Sequence, residues 1–292
     1  MKVTVLGSGT SHGIPVVGCS CPVCTSDDVR DKRMRSSVFI EGAGGEKALI
    51  DTGPEFRLQA LRAGINGLDG IFLTHSHADH LHGLDDVRPL SRERPIPVYG
   101  NELTITEMKE RFSYAFGMIW GTAQQGGGKP KLLPRVVDSP AFPGPVHIGG
   151  LVFTPTPVKH GALDILGWEV EEKGPLEDAS PKETRQSFLY LTDTSAIPPS
   201  SLELLRSGGT ASRRCIIIGG LREKPHETHF SFKEALITAL GLGAKEIYLT
   251  HICHSHSHAE IEDFCRCFKE EQRPLAEETE IHPAWDGLEI TI

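Results

Sequence analysis

The sequence predicts an α/β fold in which two β-then-α halves meet at their sheets, giving a four-layer αβ/βα sandwich. Three observations favour this architecture. Short apolar runs alternate with segments of helical character in both halves of the 292 residues. Several of those runs end in His or Asp, as strands do when they carry a site at their carboxyl ends. The chain is long for one domain, but a two-sheet sandwich can use all of it. We therefore expect a single domain over residues 1–292.

The first half is predicted to open with a strand, residues 1–6, that enters a glycine-rich loop at residues 7–15. Three glycines in this loop permit tight turns, and the Gly-Lys-Ser/Thr of a P-loop is missing. His12 lies in this loop, and we expect it to be non-catalytic. The remaining elements of this half are strands at 37–40, 48–51, 70–73 and 97–100 and helices at 54–63 and 102–112.

The second half repeats the rhythm of strands and helices. Strands are predicted at 151–154, 189–192, 215–218, 247–250 and 288–292, and helices at 232–240 and 259–269. Two polar or glycine-rich stretches, near 117–150 and 169–185, interrupt this order and read as surface insertions. The first of them has the composition of a loop or lid.

The segment Thr74-His75-Ser76-His77-Ala78-Asp79-His80 follows an apolar run and gathers four metal-type ligands within six residues. Strand alternation would place His75 and His77 on one side of the backbone. A helical turn starting near Ala78 would direct Asp79 and His80 towards a second position. One motif can therefore serve two adjacent metal ions. His82 lies beyond the pattern and is predicted to be an ordinary helix residue.

Three thiols near the amino terminus, Cys19, Cys21 and Cys24, are too closely spaced to be packing residues. Such a cluster suits zinc, which needs only one further ligand to complete a tetrahedral structural site. The odd number of cysteines makes a disulfide scaffold improbable in a reducing compartment. Cys215, Cys265 and Cys267 show no comparable pattern.

Charge and hydropathy restrict the classes of partner. The formal net charge is −9, which argues against an extended nucleic-acid footprint but allows one small anionic ligand. The basic stretch 30–35 is expected to be a solvated helix or loop rather than a phosphate site. No apolar stretch of about twenty residues and no signal peptide is evident, so we expect a cytoplasmic protein with no membrane partner. The sequence leaves a homodimer open.

The His-x-His-x-Asp-His segment resembles the signature of metallo-β-lactamase-fold hydrolases, for which the αβ/βα sandwich is the implied fold. Three further strand ends resemble the positions of the remaining ligands in that family, and they occur in the expected order: His160, Asp193 and His251. The resemblance implies two catalytic divalent ions, zinc or manganese. One would be held by His75, His77 and His160, and the other by Asp79, His80 and His251, with Asp193 bridging. Asp51 would support a metal-bound histidine.

Within that family, the loop Gly9-Thr10-Ser11-His12-Gly13-Ile14-Pro15 and the cysteine cluster resemble the cyclic phosphodiesterase branch of phosphonate breakdown. This resemblance implies that His254 completes a structural zinc site with Cys19, Cys21 and Cys24. It also implies that Asp79 and His229 are catalytic, with His229 protonating the leaving group. His226 is the weaker candidate for that proton transfer. The implied substrate is a small anionic phosphodiester, attacked by a hydroxide generated at the metal pair.

Rival functions share this core. A tRNA 3′-processing endonuclease has the same dinuclear ligands but usually lacks the cysteine cluster and uses a basic exosite. A binding protein of the pyrroloquinoline-quinone pathway type has the cluster but departs from the full signature. A flavodiiron-type redox protein alters the signature and carries a flavin domain. Thioester hydrolysis remains open, because the core specifies only an activated hydroxide.

Overall fold

The computed structural model describes residues 1–116, 128–138, 144–173, 187–207 and 213–292. Its strands, in chain order, are β1 (Lys2–Gly7), β2 (Ser37–Glu41), β3 (Lys47–Ile50), β4 (Gly70–Phe72), β5 (Ile96–Gly100), β6 (Leu132–Val136), β7 (Val146–Ile148), β8 (Leu151–His160), β9 (Leu163–Glu172), β10 (Ser187–Leu191), β11 (Arg213–Gly219), β12 (Glu246–Thr250), β13 (Glu280–Pro283) and β14 (Glu289–Thr291). Its α-helices are α1 (Phe56–Arg62), α2 (Ala78–Leu81), α3 (Glu102–Arg111), α4 (Pro199–Ser207), α5 (Phe232–Gly241) and α6 (His258–Glu271). Two 3₁₀ helices cover Val29–Asp31 and Leu84–Ser91.

The described strands form two seven-stranded sheets. The first has the order β14-β1-β2-β3-β4-β5-β6 and the second the order β13-β12-β11-β10-β9-β8-β7. In the first sheet β3 to β6 run parallel, and in the second β10 to β13 run parallel. The carboxyl ends of neighbouring parallel strands lie at the same edge of a sheet, which is where open α/β sheets place their sites.

The central core lies between the two sheets. Alternate residues of β2 and β3 face it, and so do the aromatic side chains of the opposite sheet. Phe72 of β4 stacks on Phe153 of β8 with 3.7 Å between ring centroids, and Trp168 meets Phe72 edge-on. The Trp168 indole nitrogen donates to the Leu73 carbonyl at 3.2 Å. These contacts fix the first sheet against the second beside the loop that follows β4.

The helices cover the outer faces. The side chains of β2 to β5 on the opposite face, such as Phe39, Leu49 and Ile71, pack against α1, α3 and the 3₁₀ helix Leu84–Ser91. In the second sheet Ile216 and Ile218 pack against α5 and α6. Both of those helices start with a capping box, formed by Ser231 with Glu234 and by Ser257 with Glu260. The four-layer αβ/βα sandwich is thereby confirmed.

Two expectations about local structure are wrong. His75 and His77 do not lie on a strand, because β4 ends at Phe72 and both histidines follow it in a loop. The stretch 30–35 is not simply solvated: Asp31 and Arg33 are buried and form an ion pair. The prediction of surface insertions stays a prediction, because residues 117–127, 139–143 and 174–186 lie outside the described part. Among the described residues of the two predicted insertions, Leu132–Val136 and Val146–Ile148 form the edge strands β6 and β7, and β9 continues to Glu172. Across the described ranges, no helix is both long and apolar enough to cross a bilayer.

Candidate active site

Polar residues with an unusual backbone mark three strand ends. Asp51, Asp193 and His251 have φ values of 62°, 51° and 56°, which lie in the left-handed region that non-glycine residues seldom adopt. They follow β3, β10 and β12, so the first comes from one sheet and the other two from the second. Backbone strain of this kind persists only where the surrounding structure enforces it. The edge where the two sheets meet is therefore a candidate site.

The histidine-rich loop between β4 and α2 lies at the same edge. His77 is the residue before α2, and Asp79 and His80 lie in the single turn of α2. The loop is held from outside by α3, because Glu107 accepts a hydrogen bond from the Ser76 hydroxyl at 2.6 Å. Arg111 donates to the Ser76 carbonyl and pairs with Glu107 at 2.5 Å. The residue between His75 and His77 is thus fixed by both its side chain and its backbone.

The first group of potential ligands contains His75, His77 and His160, whose ligand atoms all lie within 4.8 Å of one another. Nδ1 of His160 lies 2.7 Å from the Thr228 carbonyl oxygen, an acceptor that places the proton on Nδ1. The other ring nitrogen is then free to bind a cation. Nε2 of His75 is buried and has no hydrogen-bond partner in the described part of the chain. A buried imidazole nitrogen without a partner fits a site that takes a metal ion.

The second group contains Asp79, His80, Asp193 and His251, again with ligand atoms within 4.8 Å of one another. All four side chains are buried. Nε2 of His80 lies 3.1 Å from Oδ2 of Asp79 and 3.0 Å from Oδ2 of Asp193. The other oxygen of Asp193, Oδ1, lies 3.1 Å from Nε2 of His251. Asp193 therefore presents its two oxygens to different partners.

Outer side chains orient the imidazoles of this second group. Asp51 lies 2.7 Å from Nδ1 of His80 and accepts hydrogen bonds at 2.8 Å from both the amide and the hydroxyl of Thr74. Ser36 lies 3.3 Å from Nδ1 of His251, and Thr10 lies 3.1 Å from its Nε2. A carboxylate behind a histidine is the arrangement that raises the basicity of a metal-binding imidazole.

Burial and neighbouring charges shift the pKa values of this cluster in opposite directions. Burial holds the pKa of His75 well below its usual value and lowers that of His251 to about 4, so both are neutral at pH 7. For His80 burial is outweighed by the carboxylates of Asp79, Asp193 and Asp51, and the pKa is raised well above its usual value. For Asp193 burial is outweighed by His251 and His80, which hold its pKa well below the usual range. His75 and His251 are therefore neutral imidazoles beside the ionised carboxylate of Asp193, and His80 would release its proton on binding a divalent cation.

A separate thiol group lies near the amino terminus. The Sγ atoms of Cys19, Cys21 and Cys24 lie 3.4, 3.5 and 3.5 Å from Nδ1 of His254. These four atoms are all within 4.8 Å of one another. A hydrogen bond from the Cys24 amide lowers the pKa of Cys21 to about 6, against the effect of burial. The sequence placed these four residues in one cluster, and the structure brings them together.

His229 lies at the opening of the site, with 15% of its side chain exposed. Its Nε2 is 3.0 Å from Oδ1 of Asp193. Its Nδ1 lies 2.9 Å from the Thr228 hydroxyl and 3.2 Å from Nδ1 of His226, which is itself exposed. His229 is thus the one of these two histidines that contacts the second ligand group. His12 is an exposed loop residue, and His82 is an exposed residue that ends α2.

Sequence reasoning missed the residues that hold this framework. Ser36 and the pair formed by Glu107 and Arg111 contact the histidine-bearing loops, yet none of them belongs to a local motif. Thr10 lies in the glycine-rich loop, but no contact with His251 was predicted for it. Cys253, adjacent to His254, was also overlooked, and its Sγ lies 3.1 Å from the Ser255 hydroxyl. Only the adjacency of Cys253 to the last histidine motif could have drawn attention to it.

Known proteins resemble the chain in sequence and in fold. The profile of the family described as "Beta-lactamase superfamily domain" matches residues 47–252. An octanoyltransferase of Porphyromonas gingivalis is 35% identical over all of the chain, which spans only 52% of that protein. A diphosphatase from the PhnP family, known from its crystal structure, is 37% identical in sequence to this chain. The superposition covers 99% of this chain and 96% of the diphosphatase chain, with a TM-score of 0.77. Zinc-bound PqqB from Methylobacterium extorquens, at 17% identity and full coverage of both chains, shares the fold with a TM-score of 0.71.

Proposed function

Because the chain belongs to the beta-lactamase superfamily and is a metal-dependent hydrolase of that fold, we propose that it cleaves a small phosphodiester, such as a cyclic one, at a pair of divalent ions. The observation that carries the proposal is the position of Asp193. One of its oxygens faces His80, and the other faces His251 and His229. Asp193 also forms a group with His229 and with His160 of the first ligand group, and the ligand atoms of these three residues lie within 4.8 Å of one another. A carboxylate within reach of both ligand groups is suited to bridge two cations.

The residues fit two divalent ions by their chemistry. His75, His77 and His160 would hold one ion, and Asp79, His80 and His251 the other, with Asp193 between them. The hydrogen bond of His160 to the Thr228 carbonyl and the contact of His80 with Asp51 leave the opposite ring nitrogens available. Zinc and manganese both accept imidazole and carboxylate ligands. Cys19, Cys21, Cys24 and His254 would form a closed, structural zinc site.

When bound, the two cations supply a hydroxide near neutral pH and positive charge facing the phosphoryl oxygens. The protein contributes the geometry and the proton. His229 lies at the exposed side of Asp193, where a leaving group can reach it. Protonated on Nε2, His229 donates that proton to the departing alkoxide, which is a poor leaving group without it. Nε2 lies 3.0 Å from Oδ1 of Asp193, which places the ring beside the proposed bridging carboxylate.

Charge and the relatives support the proposed substrate class. A net charge of −9 disfavours a long nucleic acid and leaves a small anion as the suitable ligand. The relative of known structure that is 37% identical is a diphosphatase, which also breaks a bond to phosphorus. That relative favours a second candidate activity, hydrolysis of a diphosphate bond at the same site. The two activities differ in their leaving group, an alkoxide in one and a phosphate in the other.

The test is a substrate panel under identical metal conditions. A cyclic nucleotide or ribose phosphodiester, a dinucleoside diphosphate, an acyl thioester and a precursor tRNA are incubated with the metal-loaded protein, and kcat/KM is compared. The proposal expects the cyclic diester to be turned over at least tenfold faster than the thioester. Preference for the diphosphate would transfer the assignment to the second candidate. Preference for the thioester or the tRNA would overturn both.

A further inference from the structure

Arg33 is a fully buried arginine that lies outside both groups of potential catalytic ligands. Its guanidinium has no exposed surface, and it pairs with Asp31 at 3.1 Å. It also donates to the carbonyl of Cys253 at 3.0 Å and to the carbonyl of His256 at 3.2 Å. Burying a charged group is costly unless partners of this kind surround it. An arginine in this position therefore calls for an explanation.

The two carbonyls that Arg33 binds belong to one short stretch of chain, which we call segment 251–256. It starts with His251 of the second ligand group and contains His254 of the thiol group. The carbonyls of Cys253 and His256 lie on either side of His254. The guanidinium thus holds the only stretch of the described chain that contributes to both a histidine-carboxylate group and the thiol group.

The carboxylate of Asp31 extends this arrangement. Its Oδ1 accepts from Arg33 and, at 2.6 Å, from the amide of His258, the first residue of α6. Segment 251–256 is therefore fixed at its middle and beyond its end by the same buried ion pair. Asp31 itself is 2% exposed. Removing the arginine alone would leave this carboxylate without its counter-charge.

The backbone of the glycine-rich loop allows Arg33 to lie here. A Cβ on Gly9 would come within 2.6 Å of the Arg33 carbonyl oxygen and 2.9 Å of its Cβ. Gly9 also pairs with Ile252 in an isolated parallel β-bridge, and the Ile252 amide donates to the Ser8 carbonyl at 3.0 Å. The loop is thus packed between Arg33 and the start of segment 251–256, at a distance that only glycine permits.

We propose that Arg33 is a positioning residue, which holds segment 251–256 so that His251 and His254 each face their own metal site. The inference rests on the metal sites proposed above. A planar guanidinium with five donors spans two carbonyls and a carboxylate with separate nitrogens, whereas the ammonium of lysine is a compact point charge without that fork. Arg33 therefore couples the thiol site to the catalytic pair through a few residues of backbone. Since its side chain is buried, it does not bind substrate phosphate.

The test replaces Arg33 with lysine, which keeps the positive charge beside Asp31 but loses the fork that reaches the carbonyls. Arg30→Lys is the matched control, because Arg30 is three residues away, pairs with Asp28 and is 38% exposed. Both variants and the unaltered protein are loaded with Co²⁺, whose near-ultraviolet thiolate charge-transfer band reports on the thiol site, while elemental analysis counts the ions that remain at the histidine-carboxylate sites. A chelator titration then measures how firmly each site retains its ion.

For Arg33→Lys we expect at least tenfold lower chelator concentrations to empty the thiol site and the His251 site. Losing a group that holds a metal ligand in place usually weakens metal affinity by about this factor or more. The site of His75, His77 and His160, which segment 251–256 does not supply, should keep its ion as in the unaltered protein. Arg30→Lys should match the unaltered protein throughout. Circular dichroism on the same samples confirms that the chains are folded.

Three outcomes overturn the proposal, and they do so in two distinguishable ways. Unchanged retention in Arg33→Lys, or equal weakening of every site in step with a loss of folded protein, would show that Arg33 has no positioning role while leaving the metal assignment intact. Absence of the thiolate band in the unaltered protein would remove the thiol site, and this inference with it, without touching the proposed hydrolase chemistry.

Discussion

The carboxylate of Asp51 lies 2.7 Å from Nδ1 of His80, and neither side chain has any exposed surface. Asp51 also accepts two hydrogen bonds from Thr74, the residue before His75. One buried carboxylate therefore fixes the ring of His80 and the start of the histidine-rich loop. Since it accepts from Nδ1, it leaves Nε2 of His80 directed at Asp79 and Asp193.

Asp51→Asn is expected to weaken metal binding about 10–100-fold, because one of the two accepting oxygens becomes an NH2 donor that cannot accept from Thr74 or His80. Asparagine tolerates the positive φ at this position, so the backbone should be retained. Metal content after dialysis against a chelator measures the effect. Asp69→Asn, at the other end of β4, is the control. Equal metal retention in the Asp51 variant and the control would exclude the orienting role.

Cys21→Ser is expected to remove about one metal ion per chain and to lower the melting temperature, because a closed thiolate site contributes to folding. The effect on kcat should be smaller than the effect on the melting temperature. Elemental analysis and thermal unfolding are the measurements. The control is Cys267→Ser, since Cys267 is an exposed thiol on α6. An unchanged metal count in Cys21→Ser would contradict the assignment of the thiol site.

His229→Ala is expected to lower turnover roughly a hundredfold or more for a diester with a poor alkoxide leaving group, the usual contribution of a general acid. A nitrophenyl diester, whose leaving group needs no proton, should lose much less. Rates on both substrates and the metal content are measured in one preparation. Equal losses on both substrates would mean that the substitution damages the metal site rather than proton transfer. His226→Ala is the matched control, and we expect it to affect neither substrate strongly.

Asp286 should make stability depend on pH. Burial raises its pKa to about 6, against the hydrogen bonds that it accepts from the amides of Ser8 and Met34. A carboxyl group whose pKa is higher in the folded state binds its proton more tightly there, so folding is favoured as the pH falls. The gain is complete below the unfolded value of 3.8 and is lost as the pH rises through about 6.

Asp286→Asn should abolish this dependence. With metal removed by chelator, the free energy of unfolding of the unaltered protein should rise relative to the variant by up to about 3 kcal/mol between pH 7 and pH 4. Urea unfolding at a series of pH values is the measurement. A constant difference between the two proteins across that range would show that Asp286 does not titrate differently on folding.

The part of the site that the sequence could predict is the part built from local patterns. The His-x-His-x-Asp-His segment and the Cys-x-Cys-x-x-Cys cluster are recognisable because their ligands are neighbours in the chain. The family resemblance identified His160, Asp193 and His251, which lie at or just after the ends of β8, β10 and β12. Most of the strands and helices followed from the same alternation, which is why the sandwich was predictable. The sequence did not predict β6, β7, β9, β13 or α4.

The residues that hold the site could not be predicted in this way. Arg33 looks like any member of a basic surface stretch, and its burial depends on carbonyls that lie 220 and 223 positions away. Asp286 is likewise an unremarkable loop residue until Ser8 and Met34 are brought to it. Contacts of this kind carry no local period or composition. The loop position of His75 and His77 was missed because β4 ends earlier than its apolar run.

The left-handed backbone at His251 has an evolutionary consequence. Histidine is strained at a φ of 56°, whereas glycine and asparagine adopt that conformation readily. A single substitution to either would relax the chain and at the same time delete an imidazole from the site. A substitution of His251 that removes activity thus also relieves backbone strain, so a descendant without catalytic activity keeps its fold. The architecture leaves an open route from hydrolase to a non-catalytic binding protein.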